Sequence, residues 1–507
     1  MLRVRSYRSP VVSDYEPDGM SRIRPLARAK CLSSNPYSGD NLAWSGGGDY
    51  KNVETNHYPT WRLPFPAVTL CNANRIFRSK AEAVVSKLSL PEHMSSEDAL
   101  QRLSVLGELI DPNPERISQF SKDEIAELQK IIDDHKYTVR DLMRMLGQSC
   151  EELLVRCMWE GSILNCSELF TERKSYDGFC CSFNYRGVVE TLTNDGRKTL
   201  SVPAQNEVRY TRYYSHRMGL TVLVDPAAHD YFVATMFSVG IRMLVHGSDD
   251  FPDDTATEKV LPVGRELLFR VTPTSGYCTE AVRQLDPSAR KCVFESEMKL
   301  KYFPVYSEIN CITECRMDYT IHYCNCSHFY YHNTGAIRLC DLNDLPCLKR
   351  YYYRMGSDAT PCDCPPLCNN VDYDVQASSG DFKAKEFQIT PFFTNITNVT
   401  GRTLFHFYFG NHVSIRTRRD VINSWTDLLS SLGGIFSLFL GCSFMSGVEV
   451  LYFFTLRLFV RLRRGQMEQP TLKRRHPGAV NMSQHFPHRN AARVIPMSDV
   501  TTTRRFL

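Results

Sequence analysis

Two sets of residues in this 507-residue chain have types and spacings that imply chemistry. One lies near the C-terminus, where Leu428 to Val448 runs for 21 residues without a charge and is followed at once by Glu449. At roughly 1.5 Å per helical residue, the run reaches about 30 Å, the thickness of a bilayer's hydrocarbon core. Gly433, Gly434, Ser437, Gly441 and Ser443 stand where an ordinary anchor would carry Leu, Ile or Val. Small residues let backbones approach closely, and an acidic residue at the end of an apolar span is costly unless it faces water or a partner. The run therefore reads as a membrane segment that packs against copies of itself, with a buried core helix of a soluble protein as the bland alternative. The other set is a block of ten cysteines: Cys292, Cys311, Cys315, Cys324, Cys326, Cys340, Cys347, Cys362, Cys364 and Cys368. With His322 and His328 nearby they could ligate zinc, but C-x-C pairs crowd tetrahedral geometry. Disulfides are the favoured reading, and spacing alone leaves their connectivity open.

Charge orients the chain. From Arg461 to Leu507, ten Lys or Arg stand against Glu468 and Asp499. Basic residues just after a span stay in the cytoplasm, so the tail is inside and everything before Leu428 is outside. Nineteen cysteines, none of them in the basic tail, fit an oxidising compartment. Asn395-Ile-Thr and Asn398-Val-Thr are glycosylation sequons, with Asn325-Cys-Ser and Asn165-Cys-Ser as poorer ones. The net charge of +4 is too small to suggest a nucleic-acid partner. The outside region offers no nucleophile or metal constellation beyond the cysteines, so neither an enzyme nor a cofactor is expected. The lipid bilayer is the expected partner of the apolar run.

These groups need elements to position them. Residues 1–50 are polar and aperiodic and read as disordered. Between about 95 and 146 the pattern is helical, with Ser121-Lys-Asp-Glu124 as a capping box ahead of Ile125, Leu128, Ile131 and Ile132. Thr138 caps a further helix carrying Leu142, Met145 and Leu146. Between about 180 and 272 the pattern turns to strands around Leu220–Val224, Val239–Val245 and Leu267–Thr272, and a later stretch, Thr403–Phe409, is also strand-like. The layout is α+β, helices inserted among strands. It divides into an extracellular cysteine-rich domain over 51–426, a transmembrane helix over 427–460 and a basic cytoplasmic tail over 461–507.

Several of these segments resemble one family. Phe65-Pro-Ala-Val-Thr-Leu-Cys-Asn72 is similar to the FPAVTxCN signature of the epithelial sodium channel, degenerin and acid-sensing channel family, and Gly178-Phe-Cys-Cys-Ser-Phe-Asn184 to its G-x-C-x-x-F-N. Tyr306-Ser with the following Cys311-x3-Cys315 and Cys324-Asn-Cys326 resembles its thumb. Gly433-Gly434, Leu438 to Ser443 and Glu449 resemble its second transmembrane helix with a G-x-S filter. Cys150 and Cys181, with Leu220–Val224 and His246-Gly-Ser-Asp-Asp-Phe-Pro, look most like the insect pickpocket branch.

The resemblance implies a trimeric, sodium-selective, amiloride-sensitive channel in the plasma membrane, built of the same or related subunits. Its ectodomain would have a helical finger over about 75–180, palm strands over about 180–275 and a thumb over about 292–368. Gly441, Cys442 and Ser443 would form the selectivity filter, although small-xxx-small helix packing also accounts for Gly433, Ser437 and Gly441. Ser430 falls at the family's degenerin position, where bulk holds the gate open, and Glu449 lines the cation path or marks the inner membrane edge. By the same resemblance the disulfides are Cys71–Cys180, Cys157–Cys166, Cys292–Cys368, Cys311–Cys364, Cys315–Cys362, Cys324–Cys347 and Cys326–Cys340. Cys150, Cys181 and Cys278 have no assigned partner, and Cys442 is expected as a thiol. The family's first transmembrane helix precedes the FPAVT motif, yet residues 1–50 hold no His, no apolar run and no signal peptide. A truncated form of such a subunit is the expectation, with a non-conducting modulatory subunit or a single-span cysteine-rich receptor as rivals.

Overall fold

The computed structural model describes residues 49–112, 114–192, 198–201, 207–333, 337–355, 362–387, 391–396, 398–421, 425–441 and 444–465. The N-terminal segment read as disordered and most of the basic tail lie outside these residues. The chain divides into two compact units, Met1–Ile422 and Asn423–Leu507.

The first unit is mixed helix and strand, with two main sheets. The larger has eight strands, drawn from well outside the 180–275 range that the strand pattern marked. Asp49–Pro59 pairs with Val413–Val421, and Leu220–Val224 lies between Leu154–Trp159 and Thr403–Phe409, all antiparallel. The long strand Arg265–Cys278 runs antiparallel to Asn370–Asp381 but parallel to Thr403–Phe409 and Val413–Val421. Parallel neighbours need a long crossover, and the whole cysteine block sits inside this one. Leu267, Phe269 and Val271 alternate inward along the long strand, the period-2 pattern of a half-buried sheet.

The second sheet has five strands in the order Thr257–Pro262, Gly240–His246, Ala67–Asn72, Gly178–Phe183 and Phe170–Ser175. Ala67–Asn72 is buried along its entire length, which is why the FPAVTLCN segment reads as a continuous apolar run. Phe65 joins the two sheets: its ring meets Trp159 at 4.9 Å, Phe409 at 5.0 Å, Phe407 at 5.6 Å and Phe183 at 6.0 Å, each edge-on. Asn184 stands at φ +56° and donates a hydrogen bond to the Phe65 carbonyl, while its side-chain oxygen accepts from the Arg209 amide at 2.7 Å. Asn is among the few side chains that tolerate this backbone. The terminal Asn of the G-x-C-x-x-F-N segment thereby anchors the entry to the FPAVT strand.

Helix Val139–Leu146 packs against strand Gly178–Phe183 of the second sheet, and Ser96–Leu103 and Lys122–Asp134 pack on one another within the same apolar cluster. Ser121 and Glu124 form a reciprocal capping box, and Thr138 caps the last helix through the Asp141 amide. Leu142 and Leu146 point into the core; Met145 does not and is 37% exposed, its place on that face taken by Met143. In the cysteine block, Ser307 caps the 17-residue helix Glu308–Cys324, which ends at Asn325 in a left-handed conformation.

Candidate functional site

The cysteine block is built around helix Glu308–Cys324 and helix Leu345–Met355. Five bridges hold it: Cys292–Cys368, Cys311–Cys364, Cys315–Cys362, Cys324–Cys347 and Cys326–Cys340. All ten sulfurs are thus in disulfides, which removes the thiolates that a zinc site would need. His328 is instead a buried core residue whose Nδ1 lies 3.2 Å from the Leu109 carbonyl, and burial pulls its pKa down to about 4. His322 packs edge-on against Tyr323.

Elsewhere Cys71 bonds Cys180, Cys157 bonds Cys166, and Cys150 bonds Cys181. The last pair escaped the sequence reading, although a signal for it existed. Adjacent residues of a strand point to opposite faces, so Cys180 and Cys181 in Gly178–Phe183 must find different partners. The thiol of Cys278 donates to the Cys368 carbonyl at 3.2 Å. Asn395 and Asn398, both exposed, sit on the turns that precede Thr403–Phe409.

Another group the sequence did not reveal couples the block to the five-stranded sheet. Asn310 accepts from the Phe251 amide at 2.8 Å and donates to the Asp249 carbonyl at 3.0 Å. Two turns on, Arg316 contacts Asp253 at 2.7 Å and Asp254 at 2.5 Å. Asp253 is almost fully buried, and its carboxyl is pushed up to about 7, first by burial and then by Asp254, against the pull of Arg316. His246, at the start of the same turn, is buried against Thr69 at 2.8 Å and pulled down to about 4 by desolvation. Movement of the disulfide-stiffened helix is therefore tied to this turn by a buried ion pair and two backbone-directed bonds.

In the second unit, the uncharged run of the sequence is shared between two helices, Trp425–Leu440 and Phe444–Tyr452. Among the described residues no helix is long and apolar enough to cross a membrane, so the single 427–460 helix expected from hydropathy is not confirmed. The cause is local. Gly441 adopts φ +61°, a left-handed conformation that ends a helix, and its amide closes the last turn on the Ser437 carbonyl at 3.1 Å. Cys442 and Ser443 lie outside the described residues. Ser430, Gly433 and Gly434 lie on the first helix, where a Cβ added at either glycine would meet nothing within 4 Å, and Glu449 lies on the second. The side chains around them are bare: Leu438 is 81% exposed and Phe439 78%. Such a surface needs apolar surroundings or neighbouring helices.

Comparison with known proteins accounts for both units. Residues 51–453 match the family described as amiloride-sensitive sodium channel. The sodium channel protein Nach of Drosophila melanogaster is 30% identical over 420 residues, covering 80% of this chain and 76% of that protein. Pickpocket protein 28 of the same fly is 26% identical over 90% of this chain and 75% of its own length. Human acid-sensing ion channel 2 is 24% identical over 76% of this chain and 72% of that protein. Taken with the disulfide-rich α+β unit and the Phe65 and Asn184 anchors, this match establishes that the chain belongs to the amiloride-sensitive sodium channel family, in its insect pickpocket-like branch.

Proposed function

We propose that the chain is a pore-forming subunit of a sodium-selective, amiloride-sensitive channel of the degenerin type, assembled as a trimer of the same or related subunits in the plasma membrane. The observation that carries this reading is the break at Gly441 between two apolar, outward-bare helices. Ending a helix there leaves carbonyls of its last turn without the amide partners that a continuous helix would supply. Such carbonyls, with the hydroxyl of Ser443, are the oxygen ligands a partly dehydrated sodium ion needs, and a symmetric ring of them makes a filter. Gly433, Ser437 and Gly441 at four-residue spacing permit close helix approach, so packing and filter roles coexist. Glu449, eight residues beyond Gly441, then concentrates cations on the inner side. The two helices together span the bilayer, with the first unit outside, Asn395 and Asn398 glycosylated, and residues 461–507 in the cytoplasm. The turn 246–254 ties the thumb to the five-stranded sheet, and Phe65 joins that sheet to the eight-stranded one, whose strand Val413–Val421 precedes the first pore helix.

Voltage clamp of oocytes expressing the full chain with a related subunit tests the proposal. Inward current whose reversal potential follows external sodium, and which amiloride blocks, is expected. Surface-exposed, glycosylated protein that alters no current of its partner would contradict both a conducting and a modulatory role.

A further inference from the structure

Three sulfurs meet at one corner of the first unit. The thiol of Cys278, the residue that ends the long strand Arg265–Cys278, and both sulfurs of the Cys292–Cys368 bridge lie within 4.8 Å of one another. Cys278 is half-buried and packs against the cluster of buried Cys292, Phe294 and Cys368. Its Sγ donates to the Cys368 carbonyl at 3.2 Å, and its amide donates to the Asn369 side chain at 3.0 Å.

Strand register explains the meeting. Arg265–Cys278 and Asn370–Asp381 pair antiparallel from Arg265 opposite Asp381 to Gly276 opposite Asn370. Continued past that last pair, the same register sets Cys278 opposite Cys368. Opposed residues of an antiparallel pair stand about 4.5–5.5 Å apart at Cα, inside the range that a disulfide spans. Cys368 therefore has two cysteines within reach: Cys292, to which it is bonded, and Cys278, which the sheet sets across from it.

We propose that Cys278 and the Cys292–Cys368 bridge form a thiol–disulfide exchange site that moves one covalent tie along the chain. The thiolate of Cys278, its proton passed to water, attacks Sγ of Cys368. A Cys278–Cys368 bond forms, the Cys292–Cys368 bond breaks, and Cys292 leaves as a thiolate that takes a proton from water. Bridges and electrons are conserved, so the step needs neither oxidant nor reductant. Before exchange, Cys292 ties the entry of the cysteine block to Cys368, beside backbone bonds from Val293 to Pro366 at 3.0 Å and from Cys368 to Val293 at 2.9 Å. After exchange, two neighbouring strands are pinned at their ends, and segment 279–292 keeps noncovalent anchors such as buried Arg290, which donates to the carbonyls of Cys292, Arg283 and Leu285. Cys278 also pairs with Arg419, so the tie shifts to the point where the long strand meets Val413–Val421. The site lies wholly in the first unit, and exchange there does not depend on whether the chain conducts.

The test is peptide mapping without reduction of the purified full chain, held at about pH 6 or about pH 9 and then alkylated with N-ethylmaleimide at the lower pH. Without the high-pH step, the label among these three cysteines should fall on Cys278, with Cys292–Cys368 intact. At the higher pH, where thiolate is more abundant, label at Cys292 and a Cys278–Cys368 peptide should appear about ten-fold faster or more. Cys278→Ser should abolish both signals while the other bridges stay in place, which separates exchange from general unfolding. Cys292→Ala exposed to oxidised glutathione, which accepts the two electrons, should close Cys278–Cys368. Label confined to Cys278 at both pH values overturns the proposal, as does label at Cys292 in Cys278→Ser. Failure of Cys292→Ala to close Cys278–Cys368 in oxidised glutathione overturns it as well.

Discussion

Replacing Cys150 and Cys181 together with alanine removes one bridge and leaves the other seven in place. Alanine rather than serine avoids burying a hydroxyl, since Cys181 is inaccessible. The bridge closes a separation of 31 residues, for which chain entropy gives about 3.7 kcal/mol. Cys157–Cys166 lies inside that loop and shortens its effective path, which lowers the figure to about 3.4 kcal/mol. Spread over one cooperative unit of roughly 370 residues, this corresponds to a fall in melting midpoint of about 4–5 °C. The assay is a fluorescence melt of the purified full chain, with peptide mapping without reduction to show that the remaining bridges are intact. A fall of less than about 1 °C with those bridges intact would refute the loop-entropy reasoning, because the rest of the fold would already hold the 150–181 loop closed.

Three further outcomes follow from the packing and electrostatics. Phe65→Ala should destabilise the first unit by about 3–5 kcal/mol, since four rings close on that side chain, and should appear as loss of mature glycoform at the cell surface. Asp253 binds a proton in the folded chain between the ordinary carboxylate range and about 7, so its contribution to stability falls as pH rises through that window. Asp253→Asn should remove that decline from melts taken across pH. His246 and His328, pulled down to about 4, give the opposite slope, with stability lost as pH falls below the ordinary imidazole range, and this slope should remain in the variant. Ser430→Val should give standing current without stimulus, recorded under voltage clamp, because added bulk at that helix position separates close-packed neighbours.

What could be read from the sequence follows from how local each signal is. The helices at 122–134 and 139–146 announce themselves through caps within three residues of their starts, and Thr403–Phe409 through a run of β-formers. The edge pair Asp49–Pro59 and Val413–Val421 has no such signature. DYKNVETNHYP is polar and mostly exposed, VSIRTRRDV is polar and mostly half-buried, and the two are joined with two register shifts, so only a partner more than 350 residues away makes them strands. The coupling of Arg316 to Asp253 was hidden for the same reason, because a charged residue on a helix and another in a turn carry no mark of burial. In the apolar run, hydropathy averaged over a window hid one residue's backbone conformation. Gly441-Cys442-Ser443 is a triplet able to break a helix as well as a run of small residues, and the positive φ of Gly441 ends the first helix there.

The central claim is that the segment beginning at Gly441 selects sodium. Reversal potential under bi-ionic sodium and potassium, compared between the wild type and Ser443→Leu with Ser430 unchanged, tests it most directly. The account predicts that the bulkier side chain shifts the reversal potential towards that of a less selective pore, while the protein still reaches the surface. An unchanged reversal potential with undiminished current in Ser443→Leu would contradict it and place the filter elsewhere in the chain.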